Sequence, residues 1–582
     1  MTTTKSVCLL LAFVLLSLLS AQDMASGNRR AQPRRPLPPG KVAPVVDFRD
    51  VAAASGVTSV NISANPRKKN YIVEVTGNGV GLVDIDQDGL LDLLFLNAGE
   101  GEDSKPRAQN LYRNLGGMRF EDITAKSGIP DLEWAQGVCA GDFDDDGRVD
   151  LLITQWGSNT LLRNTGGAFA DESAARLPRQ QGKRWSTGCA FFDYDRDGDL
   201  DLAIANYVRF DPKTTAKPTD KKHCEWKSMP VVCGPRPLPG ESMTLLRNDG
   251  GKFVDVSEAS GIAGAKEYYG FTVLTGDYDN DGWTDLYVAC DSTPSLIFRN
   301  LGNGKFEELG IASGAALNED GREQAGMGAT AGDYNNDGRL DIFKTNFTDD
   351  TVSLYRNTGN FTFTEATVQA GLAIHTKFLG WGTAFVDVDH DGWRDLFYVN
   401  GHVYPEVDAA GIGEAYRQAR VLFWNRGDGQ FHDMSAQAGP GIAVDKHASR
   451  GLAVGDLDND GTVELVAVNM HEVPSVLKNH AKPLGSSMLV EALTASGRAA
   501  IGARIVVTPA AGKPQTEEVR SGGFHISQGD FRAHFGTGAA TEASLAIVWP
   551  DGTRQDLGTV QTNRWITVRQ GKGIVRSQAF AR

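Results

Sequence analysis

The sequence predicts an all-β chain: a seven-bladed β-propeller followed by a small β-sandwich-like domain. Three observations carry this. A nine-residue acidic motif, Asp84-Ile-Asp86-Gln-Asp88-Gly89-Leu-Leu-Asp92, returns six more times, beginning at Asp142, Asp193, Asp277, Asp333, Asp387 and Asp456. Each copy sits inside a longer unit of four short apolar runs. The run missing from the last unit is found ahead of the first.

The unit reads the same way each time. A Gly stands five residues before the first Asp in six copies (Gly79, Gly137, Gly188, Gly328, Gly382 and Gly451), with Thr272 in the other. After the loop comes a short apolar strand such as Leu-Asp-Leu-Leu-Phe-Leu. Next is a segment like Leu111-Tyr-Arg-Asn114 or Leu161-Leu-Arg-Asn164, then a Gly-rich turn and Phe-x-Asp/Glu or a variant (Phe120, Phe169, Phe253, Phe306, Phe363, Phe431). First aspartates are 58, 51, 84, 56, 54 and 69 residues apart. Repeated four-stranded units of this kind make propeller blades. The seventh unit reaches Val476-Leu-Lys-Asn479 and stops, whereas Phe48-Arg-Asp50-Val-Ala-Ala-Ala-Ser-Gly56 matches Phe253-Val-Asp255-Val-Ser-Glu-Ala-Ser-Gly261. The N-terminal strand therefore completes the last blade, which closes the ring and removes its open edges.

The acidic motif has the chemistry of a calcium loop. Calcium takes six to eight hard oxygens in loose geometry, and alternating acids on a tight turn with Gly supply them. The expected ligands in the first loop are Asp84, Asp86, Asp88 and Asp92, with the backbone carbonyl of Leu90. The second and third loops offer Asp142, Asp144, Asp146 and Asp150, and Asp193, Asp195, Asp197 and Asp201. The fourth and fifth offer Asp277, Asp279, Asp281 and Asp285, and Asp333, Asn335, Asp337 and Asp341. The last two offer Asp387, Asp389, Asp391 and Asp395, and Asp456, Asp458, Asp460 and Glu464. An EF-hand needs Glu at position twelve and flanking helices; here that position is Phe95, Ile153, Ile204, Val288, Lys344, Tyr398 and Ala467. About seven calcium ions would offset nearly all of the formal charge of −15.

Residues 1–21 read as a secretory signal: Lys5, an apolar run from Val7 to Leu19, then Ser20-Ala21. No stretch is long enough to predict a transmembrane segment. The expected location is secreted, periplasmic or extracellular. Residues 22–43, with Arg29, Arg30, Arg34, Arg35 and several prolines, read as a flexible basic linker. The propeller is expected over 44–484 and the second domain over 485–575. No basic stripe appears in the folded part, which argues against nucleic acid. Cys224 and Cys233 are expected to pair; Cys139, Cys189 and Cys290 read as small buried hydrophobes.

Two long connections interrupt the repeat. Blade three carries about 206–243, with His223-Cys224-Glu-Trp226 and Val232-Cys233-Gly-Pro-Arg236. Blade six carries about 399–421, with Asn400-Gly-His402-Val-Tyr404-Pro405. Both leave from the face opposite the acidic loops, so His223, Arg236, His402 and Tyr404 mark a candidate ligand face, or a structural cap. Beyond about residue 485 the acidic loops end, and alternating runs such as Met488-Leu-Val-Glu-Ala-Leu and Ala546-Ile-Val-Trp549 predict the small all-β domain. Its His525 and His534 have no metal spacing and read as structural.

The loops with their Phe-x-Asp strands resemble the FG-GAP/VCBS repeats of integrin α-chain propellers. The C-terminal stretch is similar to the ASPIC/UnbV domain, through Ala500-Ile-Gly-Ala-Arg504, Ser521-Gly-Gly523, Ser527-Gln528, His534-Phe-Gly536 and Trp549-Pro-Asp-Gly552. Together with Val232-Cys233-Gly-Pro-Arg236 and Asn400-Gly-His402, the pair resembles the cartilage acidic protein family and its bacterial relatives. The resemblance implies secretion, calcium binding and adhesion: a binding module for an extracellular protein, a glycan or a surface component. Glu464 and Asn335 depart from the loop pattern. The alternative is an exported enzyme whose site lies where the two inserts meet at the propeller mouth; no nucleophile set, phosphate loop or catalytic zinc spacing accompanies it.

Overall fold

The structure, a computed structural model, describes residues 29–99, 105–482 and 484–580. The expected signal segment lies outside the described residues.

Each acidic loop is the turn of a hairpin, flanked by runs that pair antiparallel. In the first unit Val80–Val83 pairs with Asp92–Phe95, which pairs with Asn110–Asn114, which pairs with Phe120–Asp122. Among the described residues seven such four-stranded sheets follow the seven motifs. The later six have innermost strands Ala135–Gly141, Arg184–Phe192, Gly270–Gly276, Gln324–Gly332, Gly380–Val386 and Ser449–Gly455. Each innermost strand lies against that of the next unit, and Ser449–Gly455 returns to Val80–Val83. The last sheet is completed by Phe48–Asp50 on Ser475–Asn479, with Phe48 opposite Asn479. The apolar faces of neighbouring sheets bury one another, which no sheet could do alone.

The repeated Gly ahead of each loop marks the crowded axis. A Cβ at Gly79 would stand 1.9 Å from the Ile526 carbonyl oxygen, and one at Gly328 2.0 Å from that of Trp381. Where Thr272 replaces Gly, its hydroxyl donates to the Met327 carbonyl at 2.7 Å.

What fills the axis is the C-terminal domain. Its two four-stranded sheets pair Ser486–Leu493 in parallel with Arg564–Arg569, and Arg504–Pro509 antiparallel with Glu542–Val548. Between them, residues 521–531 enter the ring. Val138 N–H donates to the Ile526 carbonyl at 3.1 Å, Ala329 N–H to that of Phe524 at 3.0 Å, and Asp530 N–H to that of Val454 at 3.0 Å. His525 is buried against Phe271 and Trp381, ring centroids 5.5 and 5.0 Å away, and burial pushes it down to about 3. The body of the domain covers the acidic-loop face. Its Met488, Val490, Ile505 and Ile547 share one apolar core with Leu152, Phe191 and Leu202 of the propeller.

Two sequence expectations are corrected. Cys139 and Cys189 form a disulfide between the innermost strands of the second and third blades, because those strands run side by side at the axis. Among the described residues Cys290 is left as a buried free thiol, and Cys224 pairs with Cys233. The basic segment from Arg29 is a docked strap rather than a loose linker. Arg29 bonds Glu319 and Asp320, Arg35 donates to the carbonyls of Val368 and Gln369, and Lys41 lies 5.2 Å from the Trp424 ring. Acidic side chains and open carbonyls on the rim of blades five and six hold it there.

Candidate metal centres

Each loop is folded by its own carboxylates. In the first, Asp84 accepts from the N–H of Asp88 at 3.1 Å and of Gly89 at 2.9 Å. Asp88 accepts from Leu90 N–H at 2.9 Å. The closing Asp92 accepts from Ile85 N–H at 3.0 Å and from Asn114 N–H at 2.7 Å. The other loops repeat the plan, as in Asp142 with Asp146 and Gly147, and Asp387 with Asp391 and Gly392. Gly89, at φ +87°, occupies the left-handed turn that a side chain resists.

This geometry brings one oxygen each of Asp84, Asp86 and Asp92 within 4.8 Å of one another. The same holds for Asp142, Asp144 and Asp146; Asp193, Asp195 and Asp197; Asp277, Asp279 and Asp285; and Asp387, Asp389 and Asp395. The third position is the telling one. The Oδ1 atoms of Asp86, Asp144, Asp195, Asn335, Asp389 and Asp458 are buried with no hydrogen-bond partner. A buried oxygen left unpaired costs free energy that a bound cation recovers. Burial, then the neighbouring carboxylates, push Asp84 up to about 6 and Asp277 to about 7. Burial likewise lifts Asp150 to about 8, although N–H donors partly offset it. These clusters can hold metal ions, and the all-oxygen donor set suits a hard cation such as Ca²⁺.

The seventh loop differs. Lys478 Nζ lies 2.6 Å from Asp458 Oδ2, 2.9 Å from Asp460 Oδ2 and 3.1 Å from Glu464 Oε1. The extra methylene of Glu464 lets its Oε1 reach the ammonium, where a closing Asp elsewhere accepts from the strand-three Asn N–H.

That Asn, repeated in the sequence but given no role there, ties the loops together. Its side-chain amide donates to the second residue of the preceding blade's loop. Asn164 reaches the Ile85 carbonyl at 2.9 Å, Asn248 that of Phe143 at 2.8 Å, and Asn300 that of Tyr194 at 2.8 Å. Asn357 reaches Tyr278 at 2.7 Å, Asn425 Tyr334 at 2.8 Å and Asn479 Val388 at 3.1 Å. Asn114 completes the cycle on Leu457 at 2.8 Å.

On the opposite face the two inserts do meet. The Trp226 ring lies 5.1 Å from His402 and 5.8 Å from Tyr404, and Lys227 bonds Glu414 at 2.5 Å. His402 Nδ1 accepts from Tyr404 N–H at 3.0 Å, so its proton is on Nε2, 3.3 Å from Glu414 Oε2. Burial pushes His402 below its ordinary value, outweighing Glu414. His402 and Tyr404 are buried, and they brace a closed mouth. His223 and Arg236 stand apart from them: His223 bonds the Asp220 carbonyl and Glu225, and the exposed Arg236 pairs with Glu323 at 2.7 Å. The four do not form one site.

A model of the FG-GAP-like repeat matches residues 84–153, 142–204, 277–344 and 404–467, and one of the ASPIC and UnbV domain matches 493–575. The chain thus carries FG-GAP-like repeats followed by a C-terminal ASPIC/UnbV domain. It is similar to cartilage acidic protein 1 of Mus musculus, 23% identical over 93% of this chain and 77% of that protein. The Homo sapiens protein is also 23% identical, over 86% of this chain and 72% of its own length. Among solved structures, an Agrocybe aegerita lectin that recognises non-reducing terminal N-acetylglucosamine aligns over 67% of this chain and 88% of its own, at 16% identity and a TM-score of 0.35.

Proposed function

We propose that this chain is an exported propeller braced by calcium, serving as a binding module for an extracellular protein, glycan or surface component. The observation that supports it most is the unpartnered third-position oxygen in six loops, each beside a buried closing carboxylate. Calcium there offsets carboxylate repulsion and stiffens the turn of each blade. The two disulfides suit an oxidising compartment. Among the described residues no helix is long and apolar enough to cross a membrane.

What is already covered supports a place for the partner on the remaining face. The C-terminal domain takes the acidic-loop face and the axis, and Trp226, His402 and Tyr404 close the far mouth. The outer surface of the blade-three insert, carrying His223 and Arg236, is the face we assign to recognition.

The test is thermal unfolding of the mature protein with calcium and with chelator, alongside metal content. A large calcium-dependent rise with about seven ions supports the reading. No bound calcium and no shift would sink it.

A further inference from the structure

A second ring of hydrogen bonds joins the acidic loops, and it is incomplete at two seams. The fourth residue of every loop has a positive φ, between 54° and 62° (Gln87, Asp145, Arg196, Asn280, Asn336, His390, Asn459). That conformation aims its side chain at the Gly carbonyl of the next loop. Gln87 donates to Gly147 at 2.5 Å, Asn280 to Gly338 at 3.4 Å, Asn336 to Gly392 at 3.0 Å and Asn459 to Gly89 at 3.0 Å. Arg196 donates to Gly282.

At the remaining seams the fourth residue does not donate. Asp145, when ionised, is acceptor-only. His390 spends Nδ1 on the Gly485 carbonyl at 3.0 Å, and its buried Nε2 has no partner. In both places the C-terminal domain supplies the donor. Arg498 Nη2 donates to the Gly198 carbonyl while Nη1 lies 3.5 Å from Asp145, and Ser496 Oγ bonds Asp145 at 2.7 Å. His534 Nε2 donates to the Gly461 carbonyl at 3.0 Å, with its ring 5.0 Å from His390.

We infer that Arg498 and His534 are positioning residues for the third and seventh loops, so that docking of the C-terminal domain and cation binding strengthen one another. The inference rests on the calcium reading above. The Gly carbonyl belongs to the peptide that leads into the seventh loop residue, whose own carbonyl is an expected ligand. Fixing that peptide presets the ligand, as outer-shell partners do at metal sites. Coupling of this kind is reciprocal: what helps the ion bind makes the ion help the domain dock.

The test uses the full chain as wild type, Arg498→Ala, Asp145→Asn and the double variant. Calcium titration is read beside hydrogen exchange of residues 193–201, with calcium and with chelator. Arg498→Ala is expected to weaken one ion about tenfold and to speed exchange around Gly198. Adding Asp145→Asn restores both, because an Asn at this position donates as Asn280, Asn336 and Asn459 do. A titration of Arg498→Ala superimposable on wild type overturns the inference, as does a double variant no better than Arg498→Ala. If wild type binds no ion, the calcium reading fails by itself. Exchange in chelator then still reports whether Arg498 completes the ring, by whether Asp145→Asn rescues it.

Discussion

Asn114 donates its side-chain amide to the carbonyl oxygen of Leu457, 2.8 Å away in space and 343 residues away in sequence. It also donates to Leu91 of its own loop, and its backbone N–H bonds Asp92. One side chain thus fastens the first blade to the last through the same atoms that fasten each other neighbouring pair. Asn114→Ala should therefore cost about as much as Asn300→Ala, on the order of 2–3 kcal/mol for the buried groups left unpaired. Chemical denaturation of the two variants side by side measures this. An Asn114→Ala effect near zero would mean the ring is not bonded at its seam.

The seventh loop should bind calcium most weakly. Lys478 already sets a positive charge on Asp458, Asp460 and Glu464. Lys478→Gln removes that competitor and leaves the carboxylates free for a divalent ion. Calorimetric titration should show the weakest site of wild type tightening in the variant. An unchanged titration would show that the ammonium and the ion do not compete.

The Cys139–Cys189 bridge closes a loop of 50 residues between adjacent blades. Replacing both cysteines with Ser should lower stability by about 2–4 kcal/mol. The comparison is thermal unfolding of wild type and the double variant, both calcium-loaded, with the Cys224–Cys233 bridge intact.

Asp433 gives an acid-sensitive contribution whose sign is fixed. Burial raises it, but bonds from His375 at 3.2 Å and Ser435 at 2.5 Å outweigh burial and hold it down to about 2. A carboxyl depressed in the folded state stabilises above its unfolded value of about 3.9 and loses that contribution as pH falls through the folded one. The side chain is 2% exposed, so solvent screening is slight. Asp433→Asn should cost about 2 kcal/mol at pH 7, and its difference from wild type should vanish as pH drops from about 4 to 2. A gap that persists at pH 2 would contradict this origin.

The loops and the ring were readable because they repeat. Seven copies of one spacing establish the hairpins, and Phe48-Arg-Asp50 declares itself by matching Phe253-Val-Asp255. The recurrent Asn of the third strand was visible too, but only the structure shows that it bonds the preceding blade. What single copies decide stayed hidden. Arg498 and His534 look like ordinary polar residues of a small domain, since their partners Gly198 and Gly461 lie far back in the chain. Cys139 and Cys189 carry one signal in the sequence: both follow the repeated Gly (Gly137, Gly188) within two residues, in consecutive blades. The strap from Arg29 stays hidden because its composition is that of a linker, while its partners Glu319, Asp320 and Val368 belong to distant blades.

The pairing of Phe48 with Asn479 bears on how the chain is made. Synthesis delivers Phe48–Asp50 before any other strand of the ring and its partner strand Ser475–Asn479 after all the others. Throughout that interval the first blade shows an unclosed flank, and the axis awaits residues 521–531. Closure of the ring therefore waits until Ser475–Asn479 has been made, and packing of its axis until residues 521–531 follow.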